Sequence, residues 1–331
     1  MIRSICLIAA SGCLLSVQAI QASELYTITD LGAGSTLGIN NSGEVLANDS
    51  SQAPFLYRAG HKEYLPQPSG GVFTAMALNN LGQVVGYVNY GQDFNYDLAI
   101  YSKGELTVMK HLSGLYPVAI NDAGQIAGDT VFTSSTFFYS NGVVTPIGNP
   151  PGYEGESSVV GMNSSGEVVG FIDIDTGGQT GFVYSHGHVK PVVPPGGVSS
   201  TVEAINDSGD IVGVYYPSSI SYLRGNLFVD TRSGSKVLGL ALDMGSDDEE
   251  DLPAAINDAG DIVGNAQTTV TEAAWIYQPG KGFSNLNDDI APNSDWSLSQ
   301  AVGINNRGEI VGNGMINGEY HGFLLTPVCR K

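Results

Sequence analysis

The sequence predicts an all-β fold: a seven-bladed β-propeller of four-stranded blades, with the ring closed by an N-terminal strand that joins the last blade. Three observations predict it. One turn motif recurs seven times, a strand rich in aromatic residues follows each copy, and the last copy lacks a fourth strand that the N-terminus can supply. Four-stranded repeats of about 44 residues are typical of propeller blades.

The turn motif reads small, apolar, Asn, polar, any residue, Gly, polar, followed by a short apolar run. Its asparagines are Asn40, Asn79, Asn121, Asn163, Asn206, Asn257 and Asn305, and its glycines are Gly43, Gly82, Gly124, Gly166, Gly209, Gly260 and Gly308. Asn favours the first position of a type I turn, and Gly adopts the left-handed conformation that closes a three-residue hairpin loop. The same turn chemistry accounts for Asp122, Asp207 and Asp258, which we interpret as turn residues and not as ligands.

An apolar or aromatic strand follows each turn, as in Phe182-Val183-Tyr184, and a short fourth strand comes after it. The seventh unit stops after Phe323-Leu324-Leu325, whereas Leu25 to Gly32 forms a lone strand at the other end. That strand can complete the last blade and remove the free sheet edges. An open β-solenoid or a stack of hairpins is the alternative, but neither needs a displaced fourth strand.

The Ala-Ile-Asn-Asp-x-Gly-x-Ile-Val-Gly units with a downstream Phe-x-Tyr resemble the bacterial extracellular repeats called HAF repeats. The resemblance extends over nearly the whole chain after its leader. The first unit departs from the pattern with Ala47 in place of the closing Gly, and the seventh has Leu325 in place of the Tyr. The resemblance implies an exported bacterial protein and transfers no catalytic residue.

Residues 1–22 have the pattern of a secretory signal peptide: Arg3, an apolar run, then small residues at Ala19 and Ala22. Residues 23–331 would then form a single propeller domain in the periplasm or outside the cell. Anchoring as a lipoprotein through Cys13 is the alternative. Cleavage leaves Cys329 as the last cysteine, so no disulfide can form within the chain.

The net charge of −20 indicates that the chain repels nucleic acid and anionic membrane surfaces. No segment after the leader is long and apolar enough to span a bilayer. We therefore expect a monomer that has neither a nucleic-acid partner nor a transmembrane span.

A propeller of this topology has one face of short, regular turns and one face of variable loops. Because binding residues usually lie on variable loops held by a rigid scaffold, we expect the site on the second face. Its aromatic candidates are Tyr87, Tyr90, Phe94, Tyr96, Tyr215 and Tyr216. Aromatic rings among amide side chains suit stacking on sugars or on a partner's side chains, although packing within the loops explains them as well.

The loop at Asp173 and Asp175 alternates aspartates before a glycine turn, a pattern that can present oxygens to calcium. The rest of a calcium loop is missing, so no cofactor is required and Ca²⁺ remains an option. An acidic run, Asp247 to Asp251, joins the fifth and sixth units, and such runs are usually solvated loops.

The common hydrolase, zinc and phosphate-binding motifs are absent from the sequence. We therefore expect an exported repeat scaffold that binds an extracellular or envelope partner, a glycan or a protein, through loops on one face. The alternative is an extracellular hydrolase or lyase whose site is assembled at the central channel.

Overall fold

The computed structural model describes residues 25–91, 96–174, 178–217, 225–245 and 250–328. These residues form strands almost throughout. The strands of the first four units are β1 (Tyr26–Ile39), β2 (Val45–Asp49), β3 (Pro54–Arg58), β4 (His61–Tyr64), β5 (Val72–Leu78), β6 (Val84–Asn89), β7 (Tyr96–Ser102), β8 (Glu105–Ser113), β9 (Leu115–Ile120), β10 (Ile126–Thr130), β11 (Thr136–Ser140), β12 (Val143–Pro146), β13 (Gly155–Met162), β14 (Val168–Ile174), β15 (Gln179–Ser185) and β16 (His188–Val192). Those of the last three are β17 (Ser199–Ile205), β18 (Ile211–Tyr216), β19 (Asn226–Thr231), β20 (Gly234–Gly239), β21 (Glu250–Ile256), β22 (Ile262–Gln267), β23 (Glu272–Gln278), β24 (Gly282–Asn285), β25 (Trp296–Ile304), β26 (Ile310–Ile316) and β27 (Glu319–Pro327), with one 3-10 turn at Leu286–Asp288.

The second to sixth units each form a four-stranded antiparallel sheet, so the prediction of an all-β chain of four-stranded sheets is confirmed. The first and last units instead share one seven-stranded sheet in the order β25-β26-β27-β1-β2-β3-β4. Strand β1 joins them because its first half, Tyr26 to Asp30, pairs with β27 and its second half, Gly34 to Ile39, pairs with β2. The N-terminal strand thus pairs with the third strand of the last unit.

The first strand of each unit lies at the inner edge of its sheet. These inner strands contact one another in the order β1, β5, β9, β13, β17, β21 and β25, and β25 contacts β1 again. Apolar clusters fill the spaces between neighbouring units; one contains Val169 and Val192 of the fourth unit with Val202 and Phe228 of the fifth. Burial between neighbouring sheets therefore holds the units together. In the described ranges, no helix is long and apolar enough to cross a membrane.

The closing glycine of the motif lies where two strands and an aromatic ring approach closely. A Cβ on Gly170 would lie 2.1 Å from the main-chain oxygen of Ser158 and 2.6 Å from the ring of Phe182. The inner strand has a bulge at this level, between Val159 and Gly161, which brings its carbonyl towards the second strand. In the fourth to seventh units the aromatic residue of the third strand packs onto this glycine, whereas in the second unit the ring is that of Phe73 on the inner strand.

Candidate functional site

The two ends of the sheets differ in how their polar groups are used. The turns that follow the inner strands all lie at one end, which we call the turn face. Because the strands are antiparallel, the connections between second and third strands, and between units, lie at the opposite end, which we call the loop face.

On the turn face, each motif asparagine organises its own turn. The side-chain oxygen of Asn40 accepts hydrogen bonds from the main-chain N–H groups of Ser42, at 3.0 Å, and Glu44, at 2.9 Å. Gly43 donates to the main-chain oxygen of Asn40 and has φ +80°, a conformation that costs glycine little. The other six motif glycines also have positive φ, between 70° and 84°.

The amide nitrogen of each motif asparagine then reaches the next unit. Asn40 Nδ2 donates to the main-chain oxygen of Asn79 at 3.0 Å, and every unit repeats this bond. The bonds run Asn79 to Asn121 (3.0 Å), Asn121 to Asn163 (3.4 Å), Asn163 to Asn206 (3.2 Å), Asn206 to Asn257 (2.9 Å), Asn257 to Asn305 (3.2 Å) and Asn305 back to Asn40 (3.0 Å). These seven bonds, the asparagine cycle, connect all seven units.

The residue after the asparagine makes a second set of bonds between units. Its side-chain oxygen accepts the main-chain N–H of the equivalent residue in the preceding unit. These bonds run from Asn41 to Asn80 (2.8 Å), Asn80 to Asp122 (2.7 Å), Ser164 to Asp207 (2.8 Å), Asp207 to Asp258 (3.0 Å), Asp258 to Asn306 (2.9 Å) and Asn306 to Asn41 (2.9 Å). The interpretation of Asp122, Asp207 and Asp258 as turn residues alone is therefore corrected, because each holds the preceding unit.

This second set is interrupted between the third and fourth units. Ser164 occupies the position that Asn or Asp occupies elsewhere, and its shorter side chain accepts no bond from the N–H of Asp122 among the described residues. At the same junction Asn121 Nδ2 is shared between the main-chain oxygens of Asn163 and Ser164, each at 3.4 Å. The junction of the third and fourth units therefore has the longest bonds of the asparagine cycle.

A cavity of about 190 Å³ lies inside the two sets of bonds. Its floor consists of the residues that precede the asparagines: Ile39, Leu78, Ile120, Met162, Ile205, Ile256 and Ile304. The floor is apolar, and the carboxylates at the mouth already accept main-chain N–H bonds. This end of the channel therefore combines an apolar floor with a rim of amides and carboxylates that take part in the bonds between units.

On the loop face, two of the predicted aromatic residues meet. The rings of Tyr87 and Tyr96 lie 4.7 Å apart between centroids, and Tyr116 of the third unit lies 5.0 Å from Tyr87. Burial, together with a hydrogen bond to Tyr87 and the charge of Asp129, raises the pKa of Tyr116. All three rings are only partly buried. We call Tyr87, Tyr96 and Tyr116 the tyrosine cluster.

Asp129 pairs with Tyr116 across strands β10 and β9. Its Oδ1 accepts the main-chain N–H of Val159 in the fourth unit at 2.8 Å. Burial raises the pKa of this carboxyl to about 6, and the Val159 bond offsets part of the rise. The carboxyl therefore titrates near neutral pH beside the tyrosine cluster.

The remaining aromatic candidates lie elsewhere. Tyr90 packs against a different cluster, with Phe73 and Val88, on the side of the sheet towards the first unit. Tyr215 is only 9% exposed and meets Phe228 edge-on, so the structure places most of this ring in the core, and a ligand contact there stays a prediction. Tyr216 is partly exposed, and burial and the charges of Glu250 and Glu203 raise its pKa. Phe94 lies outside the described residues.

The predicted calcium loop is described in part. Asp173 is exposed and accepts a hydrogen bond from Gln179 Nε2 at 2.7 Å, while Asp175 lies outside the described residues. Across the described ranges, no three His, Cys, Asp or Glu side chains are placed to hold a metal ion together. The predicted leader at residues 1–22 with Cys13, most of the acidic run and Cys329 also lie outside those ranges.

A single carboxylate occurs at the bulges of the inner strands. The bulged residues are Leu37, Met76, Val118, Val160, Glu203, Ala254 and Val302. Burial raises the pKa of Glu203, and a bond from Thr201 opposes the rise. Glu203 is the one carboxylate at these seven bulges, and the other six positions are apolar. The bulges therefore do not provide a pair of carboxylates for acid–base catalysis.

Large exposed apolar side chains are concentrated on the loop face. They are Val72, Phe132, Val193, Val198, Leu240, Leu252, Val270, Met315 and Tyr320. The turn-face end of the sheets also has exposed apolar side chains among the described residues, including Leu81 at 67% and Val143 at 61%, but they are fewer. The loop face therefore has exposed apolar surface that takes no part in the contacts between units.

Sequence reasoning missed Tyr116 and Asp129. Both lie in strands and not in long loops, so a search restricted to variable loops passes over them. The available signal was a comparison of equivalent positions. The residues at the position of Tyr116 are Ser35, Thr74, Ser158, Thr201, Leu252 and Gln300 in the other units, none of them aromatic.

Comparison with known proteins shows a fold, and one family matches part of the chain. A family described as "Protein of unknown function (DUF3466)" matches residues 195–323, and no curated protein matches the sequence. The β-propeller domain of the Trilobed protease from Pyrococcus furiosus superimposes with a TM-score of 0.57 at 8% identity, over 91% of this chain and 93% of that one. That domain is described as having an open velcro topology.

Two further structures show the same likeness. A chain of the Mitotic Checkpoint Complex matches with a TM-score of 0.56 at 11% identity, over 99% of this chain and 100% of that one. A prolyl endopeptidase matches with a TM-score of 0.58 at 12% identity, over 94% of this chain and 52% of that one. At these identities the likeness concerns the fold alone, and the fold of this chain is that of a β-propeller.

Proposed function

We propose that the chain is an exported scaffold, a closed seven-bladed β-propeller that binds an extracellular or envelope partner through its loop face. The observation that carries the proposal is the contrast between the faces. On the turn face, polar groups bond one another around the asparagine cycle. On the loop face, partly buried tyrosines and exposed apolar side chains such as Phe132 and Val270 remain available.

Closure of seven blades is supported by two contacts between the ends of the chain. Strand β1 pairs with β27, and Asn305 Nδ2 donates to the main-chain oxygen of Asn40. Export is supported by the leader at residues 1–22 and by the resemblance to HAF repeats, which are extracellular. The net charge of −20 favours a partner that is neither nucleic acid nor an anionic membrane.

The test compares surface variants of the two faces. Phe132 and Val270 are 72% and 86% exposed on the loop face, and Leu81 is 67% exposed on the turn face. The wild type, Phe132→Ser/Val270→Ser and Leu81→Ser are incubated with envelope glycans and secreted proteins of the source organism. We expect the loop-face variant to lose its partner and Leu81→Ser to keep it. Equal binding by all three, or loss with Leu81→Ser alone, contradicts the proposal.

Calcium binding at Asp173 and Asp175 remains a prediction. Melting of residues 23–331 with and without chelator tests it, because a ligand that binds only the folded state raises the melting temperature. An unchanged temperature would leave these carboxylates as exposed charge.

A further inference from the structure

The third unit differs from the other six at a pair of positions that the fold does not constrain. Asp129 and Tyr116 are cross-strand partners in β10 and β9, and the charge of Asp129 contributes to the raised pKa of Tyr116. The equivalent pairs are Asn48–Ser35, Tyr87–Thr74, Phe171–Ser158, Val214–Thr201, Asn265–Leu252 and Asn313–Gln300. Since every unit forms the same sheet with different residues here, the blade does not require a tyrosine opposite a carboxylate.

Packing between units does not require the carboxylate either. Asn313 Oδ1 accepts the main-chain N–H of Thr36 at 2.8 Å, which is the bond that Asp129 Oδ1 makes with Val159. A neutral amide therefore serves the same junction between the last and first units. An amide side chain at this position would lack the second carboxylate oxygen of Asp129, Oδ2. This oxygen forms no hydrogen bond with a side chain or main-chain group among the described residues.

The geometry of the tyrosine cluster restricts what can bind there. Tyr87 touches both of its neighbours, with interplanar angles of 51° to Tyr96 and 37° to Tyr116. Rings in mutual contact leave no space between them, so they form no cage around a quaternary ammonium group. They offer outward-facing ring surface instead, which suits a flat ligand with an apolar face.

The charge beside the rings restricts the ligand further. A partly buried carboxyl repels carboxylates, sulfates and phosphates, and the chain as a whole carries −20. Hydroxyl groups suit it, because a carboxylate oxygen accepts strong hydrogen bonds from O–H donors. A pyranose ring combines an apolar face with neighbouring hydroxyls, and therefore meets both requirements.

We infer that the tyrosine cluster and the free oxygen of Asp129 form a subsite for a neutral pyranose unit of a glycan. One ring face of the sugar lies on the exposed tyrosine surface, and its hydroxyls donate to Asp129 Oδ2. The inference rests on the proposed function, because it specifies the ligand class of the loop face.

The experiment measures binding of residues 23–331 at pH 7.5 to soluble neutral polysaccharides, namely a β-glucan, a galactomannan and a xylan. Alginate and phosphocholine are the anionic and quaternary ammonium comparators. We expect at least one neutral polysaccharide to bind. Tyr116→Ala and Tyr96→Ala should each weaken it about tenfold, the scale of losing one stacked aromatic contact, and Tyr116→Phe should change it by less than about threefold.

The matched control is Tyr64→Ala, which removes a tyrosine that is 54% exposed on the outer strand β4, and which should bind like the wild type. Asp129→Asn keeps the bond to Val159 and should weaken binding several-fold. Circular dichroism checks the fold of each variant; if Tyr116→Ala is unfolded, Tyr96→Ala and saturation-transfer signals on the wild type decide.

Three results would overturn the inference. They are unchanged affinity in both alanine variants, binding of alginate or phosphocholine in preference to the neutral polysaccharides, and no polysaccharide binding by the wild type. In each case the proposed function is tested separately, because the Phe132→Ser/Val270→Ser comparison measures a partner that contacts these two exposed side chains, including a protein.

Discussion

Asn305 Nδ2 donates a hydrogen bond of 3.0 Å to the main-chain oxygen of Asn40, which lies 265 positions earlier in the chain. The same nitrogen donates to Glu309 Oε2 at 2.6 Å, and the side-chain oxygen accepts the N–H groups of Arg307 and Glu309. Every polar atom of this buried side chain is therefore used. One asparagine both shapes its turn and joins the last unit to the first.

Replacing this asparagine by aspartate should destabilise the protein strongly. Asn305→Asp loses both donated bonds and places a negative charge against a carbonyl oxygen and Glu309. Unsatisfied and repelling groups in a buried site cost roughly 2–4 kcal/mol of unfolding free energy. Urea unfolding measures the loss. Asn141→Asp, at an exposed turn residue with φ 51°, is the control and should change stability little; equal effects of the two variants would contradict the role of the cycle.

Completing the interrupted set of bonds should stabilise the protein. Ser164→Asn supplies the side chain that Asn41, Asn80 and Asn306 have at the same position, so it can accept the N–H of Asp122. One hydrogen bond of this kind contributes about 1 kcal/mol, visible as a higher melting temperature. Ser165→Asn, one residue further along the same turn, is the control. A melting temperature that rises no more for Ser164→Asn than for Ser165→Asn would count against the prediction.

The charge on Asp129 should make stability depend on pH. Burial raises the pKa of Asp129 in the folded state from 3.8 to about 6. The stability that the neutral carboxyl contributes is therefore fully present below about pH 4 and is lost as the pH rises through 6. Asp129→Asn removes this loss. Allowing for solvent screening of a partly exposed group, we expect it to stabilise the protein by about 1–2 kcal/mol at pH 8 and to have no effect at pH 3.5. Thermal melts at both pH values measure it, and a gain of equal size at pH 3.5 would contradict the assignment.

The contact between the ends of the chain can be tested in the core. Leu31 of β1 is 2% exposed and packs with Val45 of the first unit and Val311 and Leu324 of the last. Leu31→Ala should cost about 2–4 kcal/mol, as large-to-small changes in cores do. Leu81→Ala, at a residue that is 67% exposed, should cost less than about 0.5 kcal/mol. A similar small effect at both positions would mean that this junction contributes little.

Local chemistry made the turns predictable. The asparagines and glycines of the motif could be assigned from spacing, because a hairpin turn is defined within a few residues. The hydrogen bond that each asparagine donates to the next unit could not be assigned in this way. It joins residues that are 39 to 51 positions apart along the chain, and 265 positions apart between the last and first units. The bonds of Asp122, Asp207 and Asp258 to the preceding unit were missed for the same reason.

The sequence predicted that the site lies on the loop face, but it did not predict which residues meet there. Tyr87 and Tyr96, both named as candidates, lie near each other, whereas Tyr90 lies with Val88 against the first unit. Tyr215 is buried in the core and Tyr216 is partly exposed, because neighbouring residues of a strand point to opposite sides of the sheet. Tyr116 and Asp129 depend on contacts between units, which the spacing of motifs within a unit does not contain.

The asparagine cycle also makes every junction between units equivalent in kind, so nothing in its bonds marks where the polypeptide begins. Val328 N donates to Leu25 O at 2.8 Å, which places the two described ends side by side. A circular permutant that joins these ends through a short linker, and opens instead between residues 245 and 250, would keep all seven bonds of the cycle. We expect such a permutant to fold, because every unit would keep the neighbours that it has now.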